Sequence, residues 1–444
     1  MPCQPHLLLL CAILCGSLAA AAHAVTVIVD VVPAKMSKEH EQNSESSLAV
    51  NPSDPSRIYL SAFGNSAGGN PLFASDTGGS AWVFFNKLAT ADTSLAWSAG
   101  GAAYLSQLSV DGSVLLAQRF SGLAPKIKLK SIKNSFFKPG GGGPDQPWIA
   151  TGNSGGIDRI YIGFNDLSQP EKTAAMRFSL DGGFTWSSEV IEREVPGDQS
   201  DGSAIRTAVH GNTVYAAFQR WNTLLNDGDE QGDLVIVKDI AAGANHFNDL
   251  GASGVIVASN LVFPQSNLGQ ERLGSDLSIA VDPNDGNRVY LATAIVNNVA
   301  PKIVVLKSTN GGTDWTQVFS TPSNSALPAL AIAGNGTVGL LYTRFTEGNL
   351  ETHLTQSVNN FTSSSDETLS RFKDNTPVPV FDPYIGDYQV LLAVGDKFYG
   401  TFCASNDTGL FPQPVTFLRD KTLLGVSVPF SIDPFFFTSD ALAP

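Results

Sequence analysis

Cysteine is almost missing from the chain that would remain after processing. Of four Cys, three (Cys3, Cys11, Cys15) fall within the first 24 residues, which leaves Cys403 alone and excludes an intramolecular disulfide from the rest. Cys403 directly follows the strand-like run 397–402 and reads as a small buried hydrophobe. Charge is also scarce: Asp, Glu, Lys and Arg make up 15% of 444 residues, and the formal net charge is −14, which argues against nucleic acid or an anionic membrane as a partner. No long amphipathic helical stretch is present. After residue 24 no run is long and apolar enough to span a bilayer as a helix. The nucleophile elbow Gly-x-Ser-x-Gly, the P-loop and the dinucleotide fingerprint are all absent, and the six His show no metal-ligand spacing.

Turn formers are abundant instead. Forty-two Gly, 25 Pro and 26 Phe beside three Met suit a turn-dense all-β protein, with 43% apolar residues to build its core. The apolar run 7–14, followed by Ala22-His23-Ala24, reads as a secretory signal peptide over residues 1–24, although its first residues lack Lys and Arg. Residues 25–444 then form one domain, expected to be secreted, extracellular or periplasmic, and monomeric.

From residue 45 a short pattern recurs: Glu45-Ser-Ser-Leu-Ala-Val50, Asp92-Thr-Ser-Leu-Ala-Trp97, Asp145-Gln-Pro-Trp-Ile-Ala150 and Asp276-Leu-Ser-Ile-Ala-Val281, with looser copies from Ala204, Leu327 and Gln389. Each copy precedes a turn and usually an aromatic-rich second strand. The starts lie 47 to 72 residues apart, enough for one four-stranded propeller blade of about 40–50 residues. This predicts a single β-propeller of seven four-stranded antiparallel blades. Six is the alternative, because the unit from Asp92 to Phe120 is short of turn signals. The early strand 25–32 is expected to pair with 426–437 and close the ring, which removes sheet edges that invite aggregation.

Three turns share one chemistry. Ser179-Leu-Asp181-Gly-Gly183-Phe-Thr-Trp186 is the fullest; Ser308-Thr-Asn310-Gly-Gly312-Thr-Asp-Trp315 and Ser75-Asp-Thr77-Gly-Gly79-Ser-Ala-Trp82 are weaker copies. Asp and Ser can bond backbone amides inside such a turn, Gly tolerates positive φ, and Trp anchors one end. The motif resembles the Asp-box, or BNR repeat, of sialidase-like β-propellers, where it is structural and faces away from the active site. Together with Ser47-Leu-Ala-Val-Asn-Pro52, Asp145-Gln-Pro-Trp-Ile-Ala150 and Gly386-Asp-Tyr-Gln389, the resemblance covers most of residues 40–405. It implies a secreted exo-α-sialidase-like protein. Sialidases clamp a substrate carboxylate with three arginines, the first in an Arg-Ile-Pro motif; this sequence has no Arg-Ile-Pro, and no catalytic residue carries over.

In a propeller the first strand of each blade lines the channel and starts at the mouth. That places Glu45, Asp92, Asp145 and Asp276 at one opening, with Asp387 close by, Arg206 at a strand start and Arg272 just before another. Close like charges raise one another's pKa and suit proton transfer, cation binding or hydrogen bonding to sugars. Tyr384 and Tyr388 flank Asp387 and, like Trp148 and Trp221, could stack on a sugar. Asp227, Asp229 and Asp233 alternate like part of a calcium loop without its full pattern; otherwise no cofactor is expected. Asn335, Asn360 and Asn406 open sequons. Three functions remain open: a propeller that binds or processes extracellular glycans or glycoproteins, a glycoside hydrolase working through mouth carboxylates, and a structural or protein-binding surface propeller.

Overall fold

A computed structural model describes residues 26–36, 42–64, 69–88, 90–109, 115–121, 128–133, 143–169, 171–194, 200–274, 276–297, 300–420, 422–423 and 425–444. The signal-peptide pattern of residues 1–24 lies outside them. They form a seven-bladed propeller with almost no helix. The first blade comprises Asn43–Val50, Ile58–Gly64, Asn70–Ser75 and Val83–Leu88. The second, Thr90–Trp97, Ala103–Ser109, Leu115–Ser121 and Lys128–Lys133, is complete, which excludes the six-bladed alternative. The third to sixth begin with Pro144–Ser154, Arg206–His210, Leu277–Asp282 and Ser325–Ile332, each followed by three more antiparallel strands.

The seventh blade closes the ring. Val390–Val394, Lys397–Ser405 and Ile432–Asp440 are joined by the N-terminal strand Thr26–Asp30, whose Ile28 sits opposite Phe437. The expected closure therefore forms, but its C-terminal partner starts later than 426. Val426–Ser427 instead folds onto Thr422–Leu423 in a two-stranded ribbon. The stretch 222–233 mostly extends a hairpin: Thr213–Leu224 pairs with Glu230–Asp239 across a bulge at Trp221/Thr223.

Apolar clusters lie between neighbouring sheets, as with Tyr161, Met176 and Phe178 of the third blade against Val214, Phe218 and Val235 of the fourth. The Asp-box turns reinforce these seams. Ser179 Oγ accepts from Gly183 N at 2.8 Å, Asp181 Oδ1 accepts from Phe184 N and Thr185 N, and Trp186 Nε1 donates to the Gly183 carbonyl at 3.0 Å. The Ser308 and Ser75 turns repeat the geometry. Two further copies escape sequence reading: Ser357 Oγ accepts from Phe361 N, and Asp239 Oδ1 accepts from Gly243 N. Glycine is required where the turn meets the preceding blade of the ring. A Cβ on Gly79, at φ +88°, would lie 2.0 Å from the Phe436 ring. These turns end third strands, and strand direction alternates, so they lie on the face opposite the starts of the first strands.

Candidate functional site

The first strands deliver their side chains to the mouth through a repeated backbone device. In the first, third and sixth blades a bulge interrupts pairing with the second strand, between Ser44 and Ser47, Asp145 and Trp148, and Ala326 and Ala329. The residue after the first position of each bulge has positive φ: Glu45 at +49°, Gln146 at +42° and Leu327 at +58°. Bulges re-aim side chains, and left-handed non-glycine residues persist only where their surroundings hold them. In the third blade, therefore, Gln146 rather than Asp145 occupies the place that Glu45 takes in the first.

A chain of contacts ties these strands together. Arg206 Nη2 donates to Gln146 Oε1 at 3.2 Å, and Gln146 Nε2 donates to Asp387 Oδ2 at 3.2 Å. Asp387 in turn holds Arg272 through two hydrogen bonds, from Nε at 2.9 Å and from Nη2 at 2.7 Å. The Arg206 guanidinium is buried 4.2 Å from the centre of the Trp148 ring and 5.6 Å from that of Tyr388, whose hydroxyl donates to the Thr93 carbonyl. Beneath this layer runs a channel of about 290 Å³, lined by the first strands and by Trp148, Arg206 and Gln389.

Glu271, fully buried, completes the frame. Its Oε2 accepts from Ile385 N and Gly386 N, and the Ile385 carbonyl accepts from Glu45 N at 3.2 Å. Segments 271–272 and 385–387 thus clasp each other twice, once by carboxylate to amides and once by guanidinium to carboxylate. Gly386, at φ +125°, admits the close approach: a Cβ there would lie 2.3 Å from Glu45 N.

Six carboxyl groups (Glu45, Asp92, Asp145, Glu271, Asp276, Asp387) meet two guanidinium groups in this network, so most cannot be ionised together. Burial, then the Asp145 and Asp387 charges, pushes Asp92 up to about 7. Burial, opposed by the Leu327 amide on Oδ2, raises Asp276 to about 7 as well. Glu45 is raised well above its ordinary value by burial and then by Asp92; Glu271 is raised well above its own by burial. Burial lowers Arg206 to about 10, and burial raises the Tyr388 hydroxyl. Asp92 and Asp145 are half-buried, and the Arg272 side chain is 45% exposed, so this side of the ring is open to solvent.

Of the sequence candidates, Glu45, Asp92, Asp145, Arg206, Arg272, Asp276, Asp387 and Tyr388 come together. Tyr384 does not present a sugar platform: it is buried against Phe372 with its hydroxyl on the Pro377 carbonyl, because its side chain packs under the loop that carries Asp387. Trp221 is likewise buried, its indole N–H on Gln219. Arg344, on the second strand of the sixth blade opposite Ser325, takes no part in the hydrogen-bond chain described above. Asp227, Asp229 and Asp233 spend oxygens on separate backbone amides, those of Asp229, Gln265 and Asn260. Among the described residues no group of three or more His, Cys, Asp or Glu could hold a metal ion. Sequence reading missed Gln146 and Glu271. The signal for Glu271 was its place beside Arg272 in a charge-poor chain.

No family model matches the chain, and no curated protein matches it in sequence. Solved structures match its fold. The polysaccharide lyase Uly1 superposes with a TM-score of 0.52 at 9% identity, covering 95% of this chain and 98% of that one. A PL25 ulvan lyase bound to -[GlcA(1-4)Rha3S]- gives 0.50 at 9%, covering 82% and 92%. The GH93 α-L-arabinofuranosidase of Fusarium graminearum with arabinobiose gives 0.43 at 10%, covering 94% and 97%. The two lyases are glycan-active β-propellers, not sialidases specifically, and at such identity they establish the propeller fold alone.

Proposed function

We propose that this chain processes glycans at the mouth of the propeller, and that it does so as a glycoside hydrolase. One observation carries the reading: Asp92 and Asp145, both half-buried, neighbour each other at the open side of the ring, where burial first and then Asp145 push Asp92 up to about 7. A protonated carboxyl next to an ionised one is the pairing that glycosidic cleavage uses. Asp92 gives its proton to the glycosidic oxygen as the C–O bond breaks. Asp145 stabilises the positive charge developing on the sugar ring, a water molecule adds its hydroxyl to the anomeric carbon, and the proton left over from that water returns to Asp92. The glycan-active propellers of like fold support this class of substrate by analogy alone.

The sialidase form of the reading is less well supported, because two arginines rather than three join the network and carboxyl groups outnumber them. The signal-peptide pattern of residues 1–24 supports action outside the cell. The test is the pH profile of kcat/KM on whichever glycan is turned over. Activity should fall as pH rises through about 7 while Asp92 loses its proton, and D92N should lose about a hundredfold or more. A profile indifferent to pH in that range, or full activity in D92N, rejects this assignment.

A further inference from the structure

We propose that the mouth selects glycans bearing a free amino group, whose ammonium is held by Glu45 beside Asp92. The inference rests on the mouth being the glycan site. Glu45 Oε2 is buried and has no hydrogen-bond partner, although the residue is only 3% exposed. Asp276 Oδ1 and Glu271 Oε1, equally buried, have none either. Buried carboxyl oxygens normally find donors, and three without one in a single network call for a donor that the chain does not supply. The two guanidinium groups do not fill that role. Arg272 is committed to Asp387, and Arg206 donates from Nη2 to Gln146 while its Nη1, buried beside the Trp148 ring, makes no hydrogen bond to any of these oxygens.

Glu45 is placed for the task. Its left-handed backbone is fixed by the Ile385 carbonyl and the close approach of Gly386, and after burial the strongest influence on its carboxyl is Asp92. Asp92 is half-exposed, so an entering group reaches the pair from solvent. An anionic glycan would meet uncompensated carboxylates.

Proton linkage supplies a signature. Glu45 is held in its neutral form by burial first and then by the Asp92, Asp387 and Glu271 carboxyl groups, against the pull of Arg272, and an ammonium beside it favours its ionisation. Binding should therefore release protons below pH 7.

The experiment is calorimetric titration near pH 6, in two buffers of different ionisation enthalpy, with oligomers of glucosamine and of galactosamine. Their N-acetylated counterparts and a uronate oligomer of equal length serve as comparisons. An amine oligomer should bind at least about tenfold tighter than its acetylated form and release protons, and E45Q should reduce that preference to below about twofold. Glutamine matches the neutral carboxyl in shape; D92N, if E45Q fails to fold, should likewise lessen proton release. Equal affinity for amine and acetyl forms, tighter binding of the uronate, no binding of any amine, or binding without proton release each overturns the proposal. Turnover of a glycan with no amine preference refutes this inference and spares the hydrolase reading; amine-selective binding with no cleavage of any glycan does the reverse.

Discussion

Replacing Asp276 with Asn should make the protein more stable at alkaline pH and leave it little changed in acid. Asp276 is 3% exposed, its Oδ2 accepts from Leu327 N at 3.0 Å, and burial first, then the Asp387 charge, raises it to about 7. In the unfolded chain such a group ionises near pH 3.9. Between those values the folded state binds the proton that the unfolded state releases, so stability falls as pH rises through the window and levels off above the folded value. The three-unit difference corresponds to roughly 4 kcal/mol as an upper bound, reduced by water entry and local relaxation. Asp92 adds a contribution of the same sign. Asparagine keeps the acceptor for the Leu327 amide and cannot ionise. Thermal unfolding of wild type and D276N, followed by circular dichroism between about pH 5 and pH 8, should show wild-type Tm dropping by several degrees. The two curves should lie closest at pH 5, where about a third of the difference has already developed, and separate further by pH 8 with the variant higher. A wild-type Tm that rises across this range, or a variant destabilised equally at both ends, refutes the ionisation scheme of the mouth.

Asp181→Ala removes the acceptor for Phe184 N, Thr185 N and the Thr185 hydroxyl in an exposed turn. It should cost about 1–2 kcal/mol in denaturant titration and leave glycan turnover unchanged, since the turn faces away from the mouth. Gly386→Ala forces a Cβ against the Glu45 backbone at a left-handed position, and should lower Tm by about 2 kcal/mol equivalent or more together with activity. His353, buried between Asp366 at 2.8 Å and Glu351 at 3.2 Å, has its pKa raised because those contacts outweigh burial. Its charged form stabilises the fold fully below about pH 6.5, and that contribution is lost as pH rises through the folded value. His353→Gln should therefore destabilise more in acid than at pH 8, as read by Tm.

The blade count was legible because one pattern, a small-residue and apolar first strand after an acidic start, recurs around the ring. The seams were legible where Ser, Asp or Asn and paired Gly spelled the Asp-box, as at Ser179 and Ser308. The same turn at Ser357 and Asp239 was not. There left-handed conformations fall on Asn360, which tolerates them, but also on Phe361 and on Ala242, whose residue types do not announce that backbone state. The mouth was legible as a set of carboxyl groups, not as a network. Asp145 aligned with Glu45 by type, whereas the bulge shifts register so that Gln146 takes that place. Glu271 acts through the amides of residues 385–386, more than a hundred positions away, a contact that spacing cannot reveal. Tyr384 beside Asp387 suggested a platform, but its burial depends on which side of the loop faces Phe372.

The most direct measurement is cleavage of a broad glycan panel, sialosides included, by the purified chain and by D92N, with new reducing ends and unsaturated sugar products both recorded. Hydrolysis at the mouth predicts new reducing ends without unsaturated products, and their loss in D92N. Unsaturated products would identify elimination in place of water addition, full turnover by D92N would remove Asp92 from the chemistry, and no cleavage of any glycan would contradict the hydrolase reading altogether.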